Sequence, residues 1–271
     1  MGRNCKIVGK VERVNYVFLF ILIFAQCSSN NAKTEVKNER STLFASEIKN
    51  EATKPKNMED TTKSISSKMK EFGLYDVSAL NSTIWYDLKY HGADNFMKKQ
   101  LYHSINKPYL QKDVAMRLVK CSRLLRSRDS SLHLLIYDAV RPVEVQWDMW
   151  NGLDSIPVSK RVKFVSNPKN KSVHNYGAAV DITICRSDRK PLDMGAGYDD
   201  IREIAYPMKE QYFLSIGELT EEHIRNRRLL RTILSSEGFS NIQTEWWHFN
   251  ACTRQTAIKK YKVLEKEPVI Q

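Results

Sequence analysis

The stretch Ser172-Val173-His174-Asn175-Tyr176-Gly177-Ala178-Ala179-Val180-Asp181-Ile182-Thr183-Ile184-Cys185 decides how this chain is read. From Ala179 to Cys185 the residues alternate as in a strand: Val180, Ile182 and Ile184 face one way, Asp181 and Thr183 the other. Asp181 therefore stands on the polar face of a strand whose other face is core, where a carboxylate needs a cation, several donors or water. His174 lies seven residues earlier. On one straight strand the two side chains would diverge, but Gly177 offers a turn between them that lets both converge.

Outward from that strand, helices and strands mix without a regular βαβ repeat. Asp113 to Arg126 reads as a helix with Asp113 as N-cap and Val114, Leu118, Cys121 and Leu125 at helical spacing. Glu221 to Glu237 is a second helix, with Gly238 as its stop. Leu132 to Val140 reads as a buried strand, and Pro142 opens a short helix through Trp150. These elements predict one α+β domain over residues 71–271, with a central antiparallel sheet flanked by helices and no internal repeat.

The 271 residues carry a net charge of +12, with 42% hydrophobic and 27% charged residues. Half of that charge lies upstream of residue 71, so the domain itself is only mildly basic. No basic patch interleaved with aromatics points to nucleic acid. Residues 1–27 read as an export signal: Arg3, Lys6, Lys10 and Arg13 precede the apolar run Val17 to Ala25, too short to span a bilayer. Cys27, just past that run, resembles the lipidated Cys of a bacterial lipoprotein signal, although Gln26 stands where that pattern wants a small residue. Residues 28–70 have no Gly, one Pro and a single aromatic, Phe44. They read as a disordered tether between an envelope anchor and the domain. The expected location is therefore exported: periplasmic or cell-envelope, and lipid-anchored if Cys27 is modified.

Six histidines occur. His91, His103, His133 and His223 sit among ordinary helix, strand or loop residues and read as structural. His174 and His248 differ in their neighbours. His248 closes Thr244-Glu245-Trp246-Trp247-His248-Phe249, where an aromatic run favours a strand. On a strand Glu245 and His248 diverge, unless the strand twists sharply or ends there. Taken together, the two segments supply two imidazoles, one carboxylate and a spare Glu. Two His and one Asp leave an open fourth position on zinc, as a catalytic rather than structural site requires, and the Glu suits a general base. Cys121, Cys185 and Cys252 allow at most one disulfide and read as buried thiols rather than ligands.

Ser-x-His-x-x-Gly-x-Ala-x-Asp followed by Glu-Trp-Trp-His resembles the D-alanyl-D-alanine dipeptidases, zinc peptidases that include vancomycin-resistance enzymes. Three further segments are similar to that family's motifs in the same order: Tyr86-Asp87-Leu88-Lys89-Tyr90 with Asn95-Phe96, Tyr137-Asp138-Ala139-Val140-Arg141-Pro142, and Met194-Gly195-Ala196-Gly197-Tyr198-Asp199. Val140 departs from the pattern, which often has an aromatic there. The resemblance implies one zinc ion on His174, Asp181 and His248, with Glu245 as catalytic base and Arg141 steadying the oxyanion. It further implies that Asp199 binds the substrate ammonium and that Ser172 assists near the peptide. From the residues alone, Arg141 reads as an ion-pair partner of Asp138, Asp199 as a loop or helix cap, and Trp246 and Trp247 as core or pocket wall. The activity implied is hydrolysis of D-alanyl-D-alanine, serving turnover or recycling of cell-wall peptide. A D,D-carboxypeptidase acting on peptidoglycan stems, or a tethered zinc- or wall-binding module without turnover, are the alternatives.

Overall fold

Helix α1 (Met58–Glu71) opens the part of the chain that the computed structural model describes, residues 58–269. It leads into β1 (Leu74–Asp76), the single turn α2 (Val77–Leu80), β2 (Trp85–Tyr86), β3 (Tyr109–Gln111), α3 (Lys112–Arg128) and β4 (Leu132–Asp138). Next come α4 (Val143–Gly152), α5 (Val158–Arg161), β5 (Ala179–Arg186) and α6 (Glu210–Ser215). The chain closes with α7 (Glu221–Ser235), β6 (Ser240–Asn241), β7 (His248–Asn250) and α8 (Arg254–Lys260).

The main sheet has the order β2-β4-β5-β7-β6, and β1 pairs with β3 in a separate two-stranded ribbon. Within the main sheet β4–β5, β5–β7 and β7–β6 are antiparallel, as expected, but β2 runs parallel to β4 at the edge. The connection explains this correction. The chain leaves β2, passes through β3 and α3, and re-enters at β4, a crossover long enough to deliver a parallel strand. The sheet is therefore mixed, and the α+β reading stands.

Strand β5 sits at the centre. Val180, Ile182 and Ile184 are fully buried, and the opposite face is covered too, with Thr183 and Cys185 at 0% exposure and Asp181 at 3%. The three aliphatic side chains alone contribute roughly 1.5–3 kcal/mol each on burial. They fix the strand's register and hence the direction in which Asp181 points.

Four boundaries differ from the sequence reading. The tether expected over residues 28–70 gives way to helix by Met58, and Ile65 and Met69 are buried at 2% and 0% exposure. Four residues apart, they share one helix face, and two such side chains seat an otherwise polar helix on the core. Asp113 is not the N-cap of α3 but lies in its first turn. Gln111 occupies the cap, and the Asp113 carboxylate accepts from Lys260 Nζ at 2.6 Å and Tyr261 Oη at 2.8 Å. Strand β4 ends at Asp138 rather than Val140, at a register shift between Ile136 and Asp138. Helix α7 ends at Ser235, with Gly238 just beyond it at φ 75°.

Among the described residues no helix is long and apolar enough to cross a membrane. The signal segment 1–27, Cys27 and the tether up to residue 57 lie outside the described residues.

Candidate metal centre and active site

Three loops and two strand ends build the site. A 3₁₀ turn, Val173–Tyr176, carries His174 and ends at Gly177, whose φ of 62° reverses the chain into β5. A Cβ at Gly177 would press on the Leu74 side chain, so the left-handed backbone angle and this close approach both favour glycine there. The expected turn between His174 and Asp181 is thus present. On the neighbouring strand His248 is the first residue of β7 and lies directly opposite Asp181. Glu245 precedes the strand in an irregular bend, which removes the divergence that a continuous strand would impose.

His174 Nε2, His248 Nδ1 and Asp181 Oδ1 form a triangle with sides of 3.1, 3.0 and 3.2 Å. The second nitrogen of each ring has a partner. His174 Nδ1 donates to the Ala139 carbonyl at 2.6 Å, and His248 Nε2 donates to Asn250 Oδ1 at 3.0 Å. Each neutral ring then turns a lone pair toward the triangle. Two lone pairs and a carboxylate oxygen at such distances repel one another unless a cation sits among them. Zinc with bonds of about 2.0–2.1 Å in tetrahedral geometry spaces its ligands about 3.3 Å apart, close to what is seen. The donor set and its spacing therefore fit a metal ion. This is the one cluster of three His, Cys, Asp or Glu with metal-ligating geometry among the described residues, and it includes no cysteine. Cys121, Cys185 and Cys252 are free thiols, the first two buried.

The partners behind the triangle are fully engaged. Asp181 Oδ2 accepts from Tyr198 Oη at 3.0 Å and lies 3.5 Å from Arg141 Nη2. Burial opposes the Asp181 charge, but positive charge at His174 and His248, carried by the rings or by a cation between them, outweighs it and holds the carboxyl well below its ordinary range. Arg141 is fixed by Asp138, whose Oδ2 accepts from Nε at 2.9 Å and Nη2 at 2.6 Å. Asp138 Oδ1 accepts from Tyr102 Oη and the Ala139 amide. The ion pair read from the sequence is thus present, and it aims the guanidinium into the cavity over the ring of Tyr90.

Two further carboxylates face the same cavity with few partners. Glu245 keeps a quarter of its side-chain surface open toward the cavity, and its Oε2 lies 3.9 Å from His248 Nδ1. Burial on its other sides pushes its carboxyl up to about 7. Asp199 sits at φ 59°, accepts from Tyr90 Oη at 3.1 and 3.2 Å and from the Phe96 amide at 3.4 Å, and is likewise pushed to about 7 by burial and by Asp181. It is not a cap but a loop residue, and its neighbour Asp200 closes a local turn by accepting from the Arg202 amide. Ser172 Oγ accepts from the His174 amide at 3.3 Å and lines the cavity. Trp247 forms cavity wall, while Trp246 is buried and donates to the Ala196 carbonyl. His133 and His223 are structural as expected: one stacks on Trp85, the other completes the N-terminal cap of α7. Tyr198 and Tyr102 are the working residues that sequence reasoning missed. Tyr198 stood inside the Met194–Asp199 motif without a role of its own, and no signal marked Tyr102.

The cavity holds about 180 Å³, less than the ~300–1,000 Å³ of clefts that admit drug-sized ligands.

The chain is 33% identical over 176 residues to the D-alanyl-D-alanine dipeptidase of Escherichia coli (strain K12), a match that covers 65% of this chain and 83% of that one. The D-alanyl-D-alanine dipeptidase of Synechocystis sp. is 29% identical over 174 residues, covering 53% and 69% of the two chains. That of Enterococcus faecium is 28% identical over 193 residues, covering 66% and 91%. The peptidase M15 family described as D-ala-D-ala dipeptidase matches residues 70–265, a span that contains the triangle, Glu245, Arg141 and Asp199. On that match across most of its length, the chain belongs to the D-ala-D-ala dipeptidase family.

Proposed function

We propose that this protein hydrolyses D-alanyl-D-alanine to two D-alanines, using one zinc ion held by His174, Asp181 and His248. The observation that carries the reading is the three-ligand triangle in one small cavity with Glu245, Arg141 and Asp199. A zinc ion there supplies a Lewis acid with an open coordination position and lowers the pKa of water toward neutrality (~7).

The chain's own groups do the rest. Glu245 takes the proton of the attacking water and passes it to the leaving amine, from a position 3.9 Å from the ligand His248. Arg141, held rigid by Asp138, faces the charge that grows on the carbonyl oxygen and needs no reorganisation to do so. Asp199 receives the substrate ammonium, and an arriving cation returns its carboxyl to the charged form. Ser172 accepts a backbone amide, which leaves its O–H to donate to the substrate peptide.

Export by residues 1–27, with Cys27 as a lipid-carrying residue, extends the proposal to dipeptide released from the cell wall. Support for that part is the sequence pattern alone, and fractionation finding the mature protein in the cytoplasm would reverse it. The activity is tested by D-alanine release from free D-alanyl-D-alanine and from an N-blocked pentapeptide stem, using the zinc-loaded chain. Cleavage of the free dipeptide alone is expected. Cleavage of the stem would make the protein a carboxypeptidase, and release from neither would remove the hydrolytic reading.

A further inference from the structure

A zwitterionic dipeptide has two charged ends, and Asp199 answers only one of them. Resting on the dipeptidase reading, we propose that Arg254 binds the substrate's terminal carboxylate and makes a free carboxylate a condition of efficient cleavage. The cavity wall carries three cations, Arg141, Lys171 and Arg254. Arg141 is committed to Asp138 and Asp181, and Lys171 Nζ to Glu265 at 2.5 Å. Among the described residues the Arg254 guanidinium has neither a hydrogen bond nor an ion pair.

Its position fits the task. Asp199, with Glu245 and Trp247, lines both the main cavity and a small adjoining one bounded by Lys163, Ile201 and Tyr206. Arg254 lines only the main cavity, with Ser172, Lys171 and Asn250, where the adjoining one does not reach. The triangle lies on that same main cavity. A dipeptide with its ammonium at Asp199 and its peptide carbonyl at the triangle thus sends its carboxylate toward Arg254. The backbone there is pinned while the side chain stays uncommitted. Arg254 is the first residue of α8, Thr253 caps that helix through the Thr256 amide, buried Ala257 anchors it, and Lys260 ties it to Asp113 on α3. A guanidinium so placed offers two parallel N–H donors to a carboxylate.

The test measures hydrolysis of D-alanyl-D-alanine and of its C-terminal amide by the zinc-loaded full chain, as wild type, Arg254→Ala and Arg254→Lys. The wild type is expected to prefer the free acid. Arg254→Ala should raise KM for the acid roughly 10- to 100-fold, the usual loss for one charge-assisted hydrogen-bonded contact, with kcat little changed and the amide unaffected. Arg254→Lys should recover part of the loss, since it keeps the charge without the fork. Calorimetric binding of D-alanyl-D-alanine in a Glu245→Gln background should weaken by the same factor on adding Arg254→Ala. Equal KM values for acid and amide in the wild type, or an acid preference that survives Arg254→Ala, would overturn the assignment while leaving the dipeptidase reading intact. A wild type that hydrolyses neither compound overturns the dipeptidase reading itself, and the carboxylate assignment falls with it.

Discussion

Asp181 and Asp199 open onto one cavity, yet the chain treats their carboxyl groups in opposite ways. Asp181 stands on the central strand with two imidazoles, a tyrosine hydroxyl and a guanidinium around it, and its carboxyl is held well below the ordinary range. Asp199 stands on a left-handed loop residue with one tyrosine hydroxyl and one distant amide, and its carboxyl is pushed up to about 7. The first environment suits a group that holds a cation permanently. The second suits a group left short of positive charge until a cation arrives with the substrate. Burial is common to both, so the difference lies in the partners, and it sorts the site into a part that binds metal and a part that waits.

The hardest way to break that comparison is to remove the permanent partner. Asp181→Asn should cost the protein its metal and with it essentially all activity, a loss beyond the ~10–100-fold carried by outer partners of metal ligands. Metal content after gel filtration reads the first effect and D-alanine release the second. Glu245→Gln separates chemistry from binding. It should lower kcat by about 10²–10⁴-fold, the usual weight of a general acid–base group, while metal content stays that of the wild type. Loss of metal from this variant would make Glu245 part of the permanent half of the site.

Asp199→Asn is the sharper probe, because it should weaken function and strengthen the fold together. Asn tolerates the left-handed backbone of position 199, and its side-chain oxygen can still accept from Tyr90. Without the negative charge, KM for the dipeptide should rise roughly 10- to 100-fold. The stability effect follows from linkage. The Asp199 carboxyl holds a proton in the folded state that the unfolded chain, titrating near 3.8, has already released. The stabilisation from that proton is present below the unfolded value and is lost as pH rises through about 7. Urea unfolding of the metal-free proteins should therefore show equal stability near pH 4, an advantage for the variant that grows up to pH 7, and a plateau of ~2–4 kcal/mol above it. A difference that shrinks with rising pH would mean that Asp199 is already paired in the folded protein.

The permanent half of the site was the more legible one in the sequence. His174, Gly177 and Asp181 fall within eight residues, and the alternation from Ala179 to Cys185 declares which way Asp181 points. The waiting half was legible only through a resemblance, because Asp199 sits in a loop whose shape depends on Tyr90 and Phe96, about a hundred residues away. Long-range partners escape pattern reading in the same way elsewhere. Asp138 was visible as a neighbour of Arg141, but the Tyr102 hydroxyl that completes its hydrogen bonding was not. The parallel edge strand Trp85–Tyr86 is two residues long and leaves no period to read. Helix α1 hid in a polar window because, among its described side chains, only Ile65 and Met69 are buried.

Tyr198 joins the two halves, and its removal should give the smallest effect of the series. Its hydroxyl donates to Asp181 Oδ2 at 3.0 Å, and its backbone continues directly into Asp199. Burial, with the charges of Asp181 and Asp199, keeps that hydroxyl protonated far above its ordinary range, so it acts as a fixed donor at any pH the protein meets. The ring packs against Tyr137, Tyr90 and Trp247, and those contacts survive in Tyr198→Phe. What is lost is one hydrogen bond to the oxygen of Asp181 that faces away from the triangle, leaving that oxygen to Arg141 at 3.5 Å. Metal affinity should fall about tenfold, the lower end of what outer partners carry, while KM at saturating metal stays unchanged. Chelator competition reads the first quantity and steady-state kinetics the second. If KM rises instead, the loop bearing Asp199 is held in place by that hydroxyl, and the two carboxylates are coupled through Tyr198 rather than independently tuned.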